Sequence, residues 1–88
     1  MKRVRVLVRG LVQGVFFRAE ARERAESFGV AGWIRNAGDG SVEAVFEGPD
    51  EQVDSLVEWC RRGPAGARVD EVEAVSEEPV GEIGFQVR

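Results

Sequence analysis

The 88-residue chain contains no histidine. That removes the side chain most often used as a general base, and with it every Ser-His or Cys-His nucleophile pair. It also excludes a His/Cys metal site. The single cysteine, Cys60, has no partner for an internal disulfide. Apolar runs are short, and none approaches the ~18 residues needed to span a membrane. The opening Met1-Lys2-Arg3-Val4-Arg5 alternates charge with valine and lacks the continuous apolar stretch of a signal peptide. These absences predict a soluble, cytoplasmic protein. Its chemistry must use arginine, asparagine, carboxylates, backbone amides or the substrate itself.

What is present is an ordinary globular composition, 43% hydrophobic and 32% charged, which argues against disorder. A chain this short makes one domain, residues 1–88, with a modest core. Its net charge of −4 is unevenly placed. Residues 1–35 carry eight Lys/Arg against three acids, a balance of +5, whereas residues 36–88 carry four against thirteen, a balance of −9. An acidic chain is a poor candidate for sequence-independent nucleic-acid binding. The basic first half still suits a small anion.

Val4, Val6 and Val8 alternate with Arg3, Arg5 and Arg9, the period of a strand with one buried face. From Phe17 to Phe28 the period becomes helical, with Phe17, Ala21, Ala25 and Phe28 on one face and Gly29 as the stop. Strands over 30–35 and 41–47 flank a hairpin loop, Asn36-Ala37-Gly38-Asp39-Gly40. Pro49 in a first turn, followed by Asp50 and Glu51, opens a second helix with an apolar stripe of Val53, Leu56, Val57 and Cys60. Arg61-Arg62-Gly63-Pro64 closes it. A fourth strand near 69–75 and a short last one near 85–87 complete the order. Strand, helix, strand, strand, helix, strand implies an α+β ferredoxin-like (split βαβ) sandwich, an antiparallel sheet with both helices on one face and a short extra C-terminal strand. That architecture hosts many unrelated activities.

The first crossover, Gly10-Leu11-Val12-Gln13-Gly14-Val15-Phe16-Phe17-Arg18, is where chemistry has a place to sit. A helix N-terminus presents unpaired N–H groups and the positive end of a dipole. Glycines let the preceding loop curl so that its amides converge on an anion. Arg18 in the first turn adds a guanidinium with paired donors, in a position where its own helix dipole opposes it unless an anion is bound. On spacing alone the loop is equally a tight strand-to-helix turn with a solvated arginine, and it is not a Gly-x-x-x-x-Gly-Lys-Ser/Thr phosphate loop.

This segment resembles the signature of the acylphosphatase family, Gly-x-Val-Gln-Gly-Val-aromatic-aromatic-Arg. A second run, Gly32-Trp33-Ile34-Arg35-Asn36 followed by Asp39-Gly40-Ser41-Val42-Glu43, resembles that family's other motif, and the likeness extends to Gly84-Phe85-Gln86-Val87-Arg88. The resemblance implies an acyl phosphate substrate, no cofactor and no metal. It implies a phosphate, or a sulfate in its place, held by the loop of Val12, Gln13, Gly14, Val15, Phe16, Phe17 and Arg18. Asn36 would orient the lytic water. Many members carry a tyrosine near the C-terminus or a histidine near the loop; this chain has neither.

Other residues have plainer readings. Arg9 and Arg35 are expected to be solvated strand residues, Trp33 and Phe46 packing, and Cys60 core. Glu71, Glu73, Glu77 and Glu78 are expected to form a solvated strand face, not a metal cluster. With no long apolar face left unpaired, the chain is expected to be monomeric and not to associate with membranes. Two rival readings share the topology. One is a non-enzymatic domain, such as the acylphosphatase-like segment that precedes long zinc-finger and transferase regions in hydrogenase-maturation carbamoyl transferases; the chain's ending at Arg88 favours a free-standing enzyme. The other is a single-stranded RNA binder, disfavoured by the acids of Ser41-Val42-Glu43-Ala44-Val45-Phe46-Glu47 where stacking aromatics belong.

Overall fold

A computed structural model describes residues 1–88. The elements run β1 (Lys2–Leu11), α1 (Phe17–Phe28), β2 (Ala31–Asn36), β3 (Val42–Gly48), α2 (Asp50–Cys60), β4 (Arg68–Glu77) and β5 (Phe85–Val87). They form one five-stranded sheet in the order β4-β1-β3-β2-β5. The four long strands pair antiparallel, as the element order implies. The extra strand β5 instead lies parallel to β2, so the whole sheet is mixed.

The period-2 pattern of β1 separates two chemistries. On one face Val4, Val6 and Val8 join Val42, Ala44, Phe46 and Ile34 in a core closed by α1 and α2. Helix α1 covers β2 and β5 and α2 covers β1 and β3, which places both helices on that face. Phe17 packs on Trp59 with ring centroids 5.1 Å apart, and Phe46 stacks on Phe85 at 5.8 Å. Trp59, outside the expected stripe, is buried in this core, whereas Phe28 at the end of α1 is exposed. Val57 is only partly buried. Pro49 sits one position earlier than expected, as the N-cap of α2, its carbonyl accepting the Val53 N–H at 3.0 Å.

The opposite face is an ionic lattice. Arg9 reaches Glu71 and Glu73, Arg5 bridges Glu43 and Glu77, and Arg35 pairs with Glu43. Arg9, Arg35, Glu71, Glu73 and Glu78 are solvated, as expected, and only Glu77 is more covered. What the structure adds is pairing, because the antiparallel register sets acids of β3 and β4 opposite arginines of β1 and β2. Trp33 lies on this face beneath the guanidinium groups of Arg5 and Arg88, at 5.6 and 4.7 Å. It is away from the helices and acts in packing.

Candidate active site

The site is built where β1 hands over to α1. Between Arg9 and Gly10 the β1–β4 register shifts. Gly10 takes φ +138°, and a Cβ there would stand 2.1 Å from the Arg68 carbonyl oxygen, so only glycine fits. The strand then leaves the sheet and turns back over the helix side. Gly14 (φ 73°) and Phe16 (φ 64°, ψ 21°) are both left-handed, which curls the loop before the first helical residue, Phe17. Phe16 is the N-cap of α1 and provides no side-chain cap. The first N–H groups of the helix thus remain uncapped, the electropositive end of its dipole open.

A cleft of about 510 Å³ lies in front of this terminus. Val12, Gly14, Phe16, Phe17 and Arg18 line it, joined by Asn36 from the end of β2. The structure thus brings Arg18 and Asn36 into one cavity, although they are separated by eighteen positions in the chain. Asn36 pairs with Val42 on the helix-bearing side of the sheet. The Arg18 guanidinium donates Nη1–H to the main-chain oxygen of Arg88 at 3.2 Å. The lining includes no carboxylate.

Two of the loop side chains lie elsewhere. Val15 packs against the core. Gln13 turns from the cleft to the β2–β3 hairpin, its Nε2 donating to the carbonyls of Ala37 (2.8 Å) and Ser41 (3.0 Å). It ties the loop carrying Gly14 and Phe16 to the turn that follows Asn36. Asp39 closes that turn by accepting from the Ser41 hydroxyl and N–H, contacts that hold its carboxyl below the usual range. Cys60 is remote and fully buried, and burial pushes its thiol up to about 12.

Sequence reasoning missed three lining residues, Ala19, Arg22 and Val87. Arg22 was open to discovery, since four residues after Arg18 it shares that residue's helical face. Val87 was not, because its place depends on the parallel pairing of β5.

Fold and cleft together define a class: ferredoxin-like sandwiches in which the first strand-to-helix crossover presents an uncapped helix terminus and an arginine to a pocket free of acids. Comparison with known proteins narrows it. The acylphosphatase family profile matches residues 4–87. An acylphosphatase of Rubrobacter xylanophilus is 63% identical over 99% of this chain and 80% of its own length. One from Haloarcula marismortui is 55% identical over 98% and 94%. The crystal structure of an acylphosphatase from Bacillus subtilis superposes with a TM-score of 0.95 at 32% identity, covering 100% of this chain and 99% of the other. The chain belongs to the acylphosphatase family, and its activity is the hydrolysis of acyl phosphates.

Proposed function

We propose that the phosphoryl group of the substrate sits at the N-terminus of α1, held by backbone amides of residues 12–18 and by the Arg18 guanidinium, with Asn36 placing the attacking water. The observation that carries this reading is the meeting of Arg18, an uncapped helix end and Asn36 in one cleft without acids. The same reading takes residues 1–88 as a single domain, monomeric and cytoplasmic. One continuous core and a charge-paired outer face support the first two points.

The chemistry needs no imidazole. An acyl phosphate already carries a good leaving group, a carboxylate. The barrier lies in bringing water to a phosphorus ringed by negative oxygens, and preorganised amides with Arg18 offset that charge where it develops. The Asn36 carboxamide fixes the line of attack. As the water oxygen bonds to phosphorus, the bond from phosphorus to the acyl oxygen breaks and the carboxylate departs with that electron pair. The water's proton passes to a phosphoryl oxygen of the substrate, since the cleft lining offers no carboxylate or imidazole to accept it. The products are the carboxylate and inorganic phosphate.

The test is hydrolysis of benzoyl phosphate with EDTA present. Asn36→Ala should lower kcat by about 10²-fold or more while inorganic phosphate inhibits as in the wild type. Arg18→Gln should weaken phosphate inhibition and lower kcat/KM by about 10³-fold, because its charge serves both bound and transition states. Lost phosphate affinity in Asn36→Ala, or full turnover in either variant, would overturn this division of labour.

A further inference from the structure

The cleft is larger than its polar equipment requires. A phosphoryl group and one water engage the loop amides, Arg18 and Asn36, and fill a small part of about 510 Å³. Much of the remaining boundary is apolar, and Phe16 is its outlying member. This phenylalanine is 79% exposed beside the cleft mouth. It also occupies left-handed backbone space, φ 64° and ψ 21°, which a side chain of this kind enters only at a cost. Glycine or asparagine adopts that conformation more easily. The backbone therefore does not call for phenylalanine at this position. The ring also has little packing to lose, being mostly solvated. A strained backbone carrying an exposed aromatic ring onto the rim of a reaction cleft is explained by a contact that forms when the cleft is filled. Val87, exposed on β5, and Ala19, in the first turn of α1, extend apolar surface within the same cleft.

We infer that Phe16, with Val87 and Ala19, forms the acyl-group subsite, and that this enzyme selects acyl phosphates whose acyl portion is apolar or aromatic. The inference rests on the placement of the phosphoryl group at the α1 terminus, because that placement directs the acyl end toward the rim. Burying an apolar acyl group against the ring removes both surfaces from water. The contact is made alike in the bound and transition states, so it lowers KM and leaves kcat little affected.

The experiment compares kcat/KM for benzoyl phosphate and acetyl phosphate in the wild type and in Phe16→Asn, Phe16→Gly and Phe16→Leu. Asparagine and glycine suit the left-handed site, so these variants keep the loop's shape and remain folded. The benzoyl-to-acetyl ratio should fall about tenfold in both, through KM for benzoyl phosphate, and Phe16→Leu should retain most of it. A ratio within about twofold of the wild type in Phe16→Asn and Phe16→Gly overturns the subsite. So does a fall that lies entirely in kcat. Failure of the phosphoryl placement is read separately: inorganic phosphate would then inhibit wild type and Arg18→Gln equally, whatever the acyl ratio does.

Discussion

Glu47→Gln tests how the outer face of the sheet holds the cleft in shape. Glu47 lies on β3, 4% exposed, and both of its oxygens are fully used. One accepts the Val80 N–H at 2.9 Å and Arg3 Nη1–H at 3.1 Å; the other accepts the N–H groups of Gly81 at 2.8 Å and Glu82 at 2.9 Å. Residues 80–82 thereby form a nest around a carboxylate of the protein itself. They belong to the strap that delivers β5, and with it Val87, to the cleft. Glutamine keeps the shape but supplies only one accepting oxygen. Its NH2 group then faces two donors, whichever way the amide turns. Two buried donors without an acceptor cost about 1–3 kcal/mol each, and breaking one side of a buried ionic pair costs about 3–5 kcal/mol. A loss of about 4 kcal/mol is a large share of the roughly 4–13 kcal/mol that stabilises a domain of this length. The melting temperature should fall by roughly 15–30 °C, measured by circular dichroism, with a matching loss in urea unfolding. A loss below about 1 kcal/mol would refute the reasoning. Glu43→Gln is the control: its carboxylate joins Arg5 and Arg35 across strands in a more open setting, so its cost should be near 1 kcal/mol.

The same carboxylates set the acid limit. Burial works against ionisation of Glu47, but the N–H groups of Val80 and Glu82, the Arg3 guanidinium and the Gly81 N–H outweigh it and hold the group below its ordinary 4.5. Glu43 is likewise lowered, burial being overcome by Arg5 and Arg35, and Glu77 is lowered by Arg5 and then Arg3. A carboxyl lowered in the fold contributes stability that is fully present above its unfolded value and is lost as pH falls through its folded value. Urea midpoints should therefore hold steady above about pH 5 and drop below about pH 4, with a shallower drop in Glu47→Gln.

Two further outcomes follow from the same contacts. Cys60, buried and with its thiol pushed up to about 12, should not react with a disulfide reagent in the folded protein and should react at once in denaturant; native-state labelling on the minute scale would contradict its burial. Gln13→Leu removes the donors to Ala37 and Ser41, releasing the hairpin after Asn36 from the phosphate loop. It should lower kcat for acetyl phosphate by about tenfold or more, and an unchanged kcat would refute the coupling.

Local periodicity located the four long strands and both helices because each is long enough to repeat its pattern two or three times. Phe17, Ala21 and Ala25 marked the buried face of α1 for that reason. What escaped was decided by partners distant in sequence. Three residues, Phe85–Val87, carry no register of their own, so the parallel pairing of β5 with β2 was not readable. The acids of β4 were legible as a solvated face, but not their pairing, because nothing local to Glu71 or Glu77 reveals that arginines of β1 stand opposite. Gln13 could be assigned to the phosphate loop, but its side chain serves the hairpin, and that choice depends on where Ala37 and Ser41 present their carbonyls. At the cleft, dipole physics raised Arg18 as a candidate with a solvated turn arginine equally open, and the family resemblance decided it. Asn36 rested on the resemblance more heavily still, since an asparagine in a hairpin is more often a turn former.

The uneven charge of the chain also acquires a cause. The surplus of bases in residues 1–35 is drawn into pairs, most of them with acids from the remainder of the chain: Lys2 with Asp54, Arg3 with Glu47, Glu77 and Glu82, Arg5 and Arg35 with Glu43, Arg9 with Glu71 and Glu73. Arg22 pairs within its helix with Glu26, and Arg24 lies over the Trp59 ring. Arg18 differs from its neighbours. The oxygen it meets belongs to the main chain of Arg88. No carboxylate side chain reaches it in the cleft. An arginine paired with an acid presents a neutralised unit and attracts a dianion weakly; an arginine kept clear of acidic side chains and set against its own helix dipole gains most when a phosphoryl group arrives. Placing an acid within reach, by Ala19→Asp or Gly14→Asp, should therefore weaken inhibition by inorganic phosphate more than the neutral Ala19→Asn or Gly14→Asn does. Equal effects of the acidic and neutral replacements would show that the absence of carboxylates from the cleft has no electrostatic role.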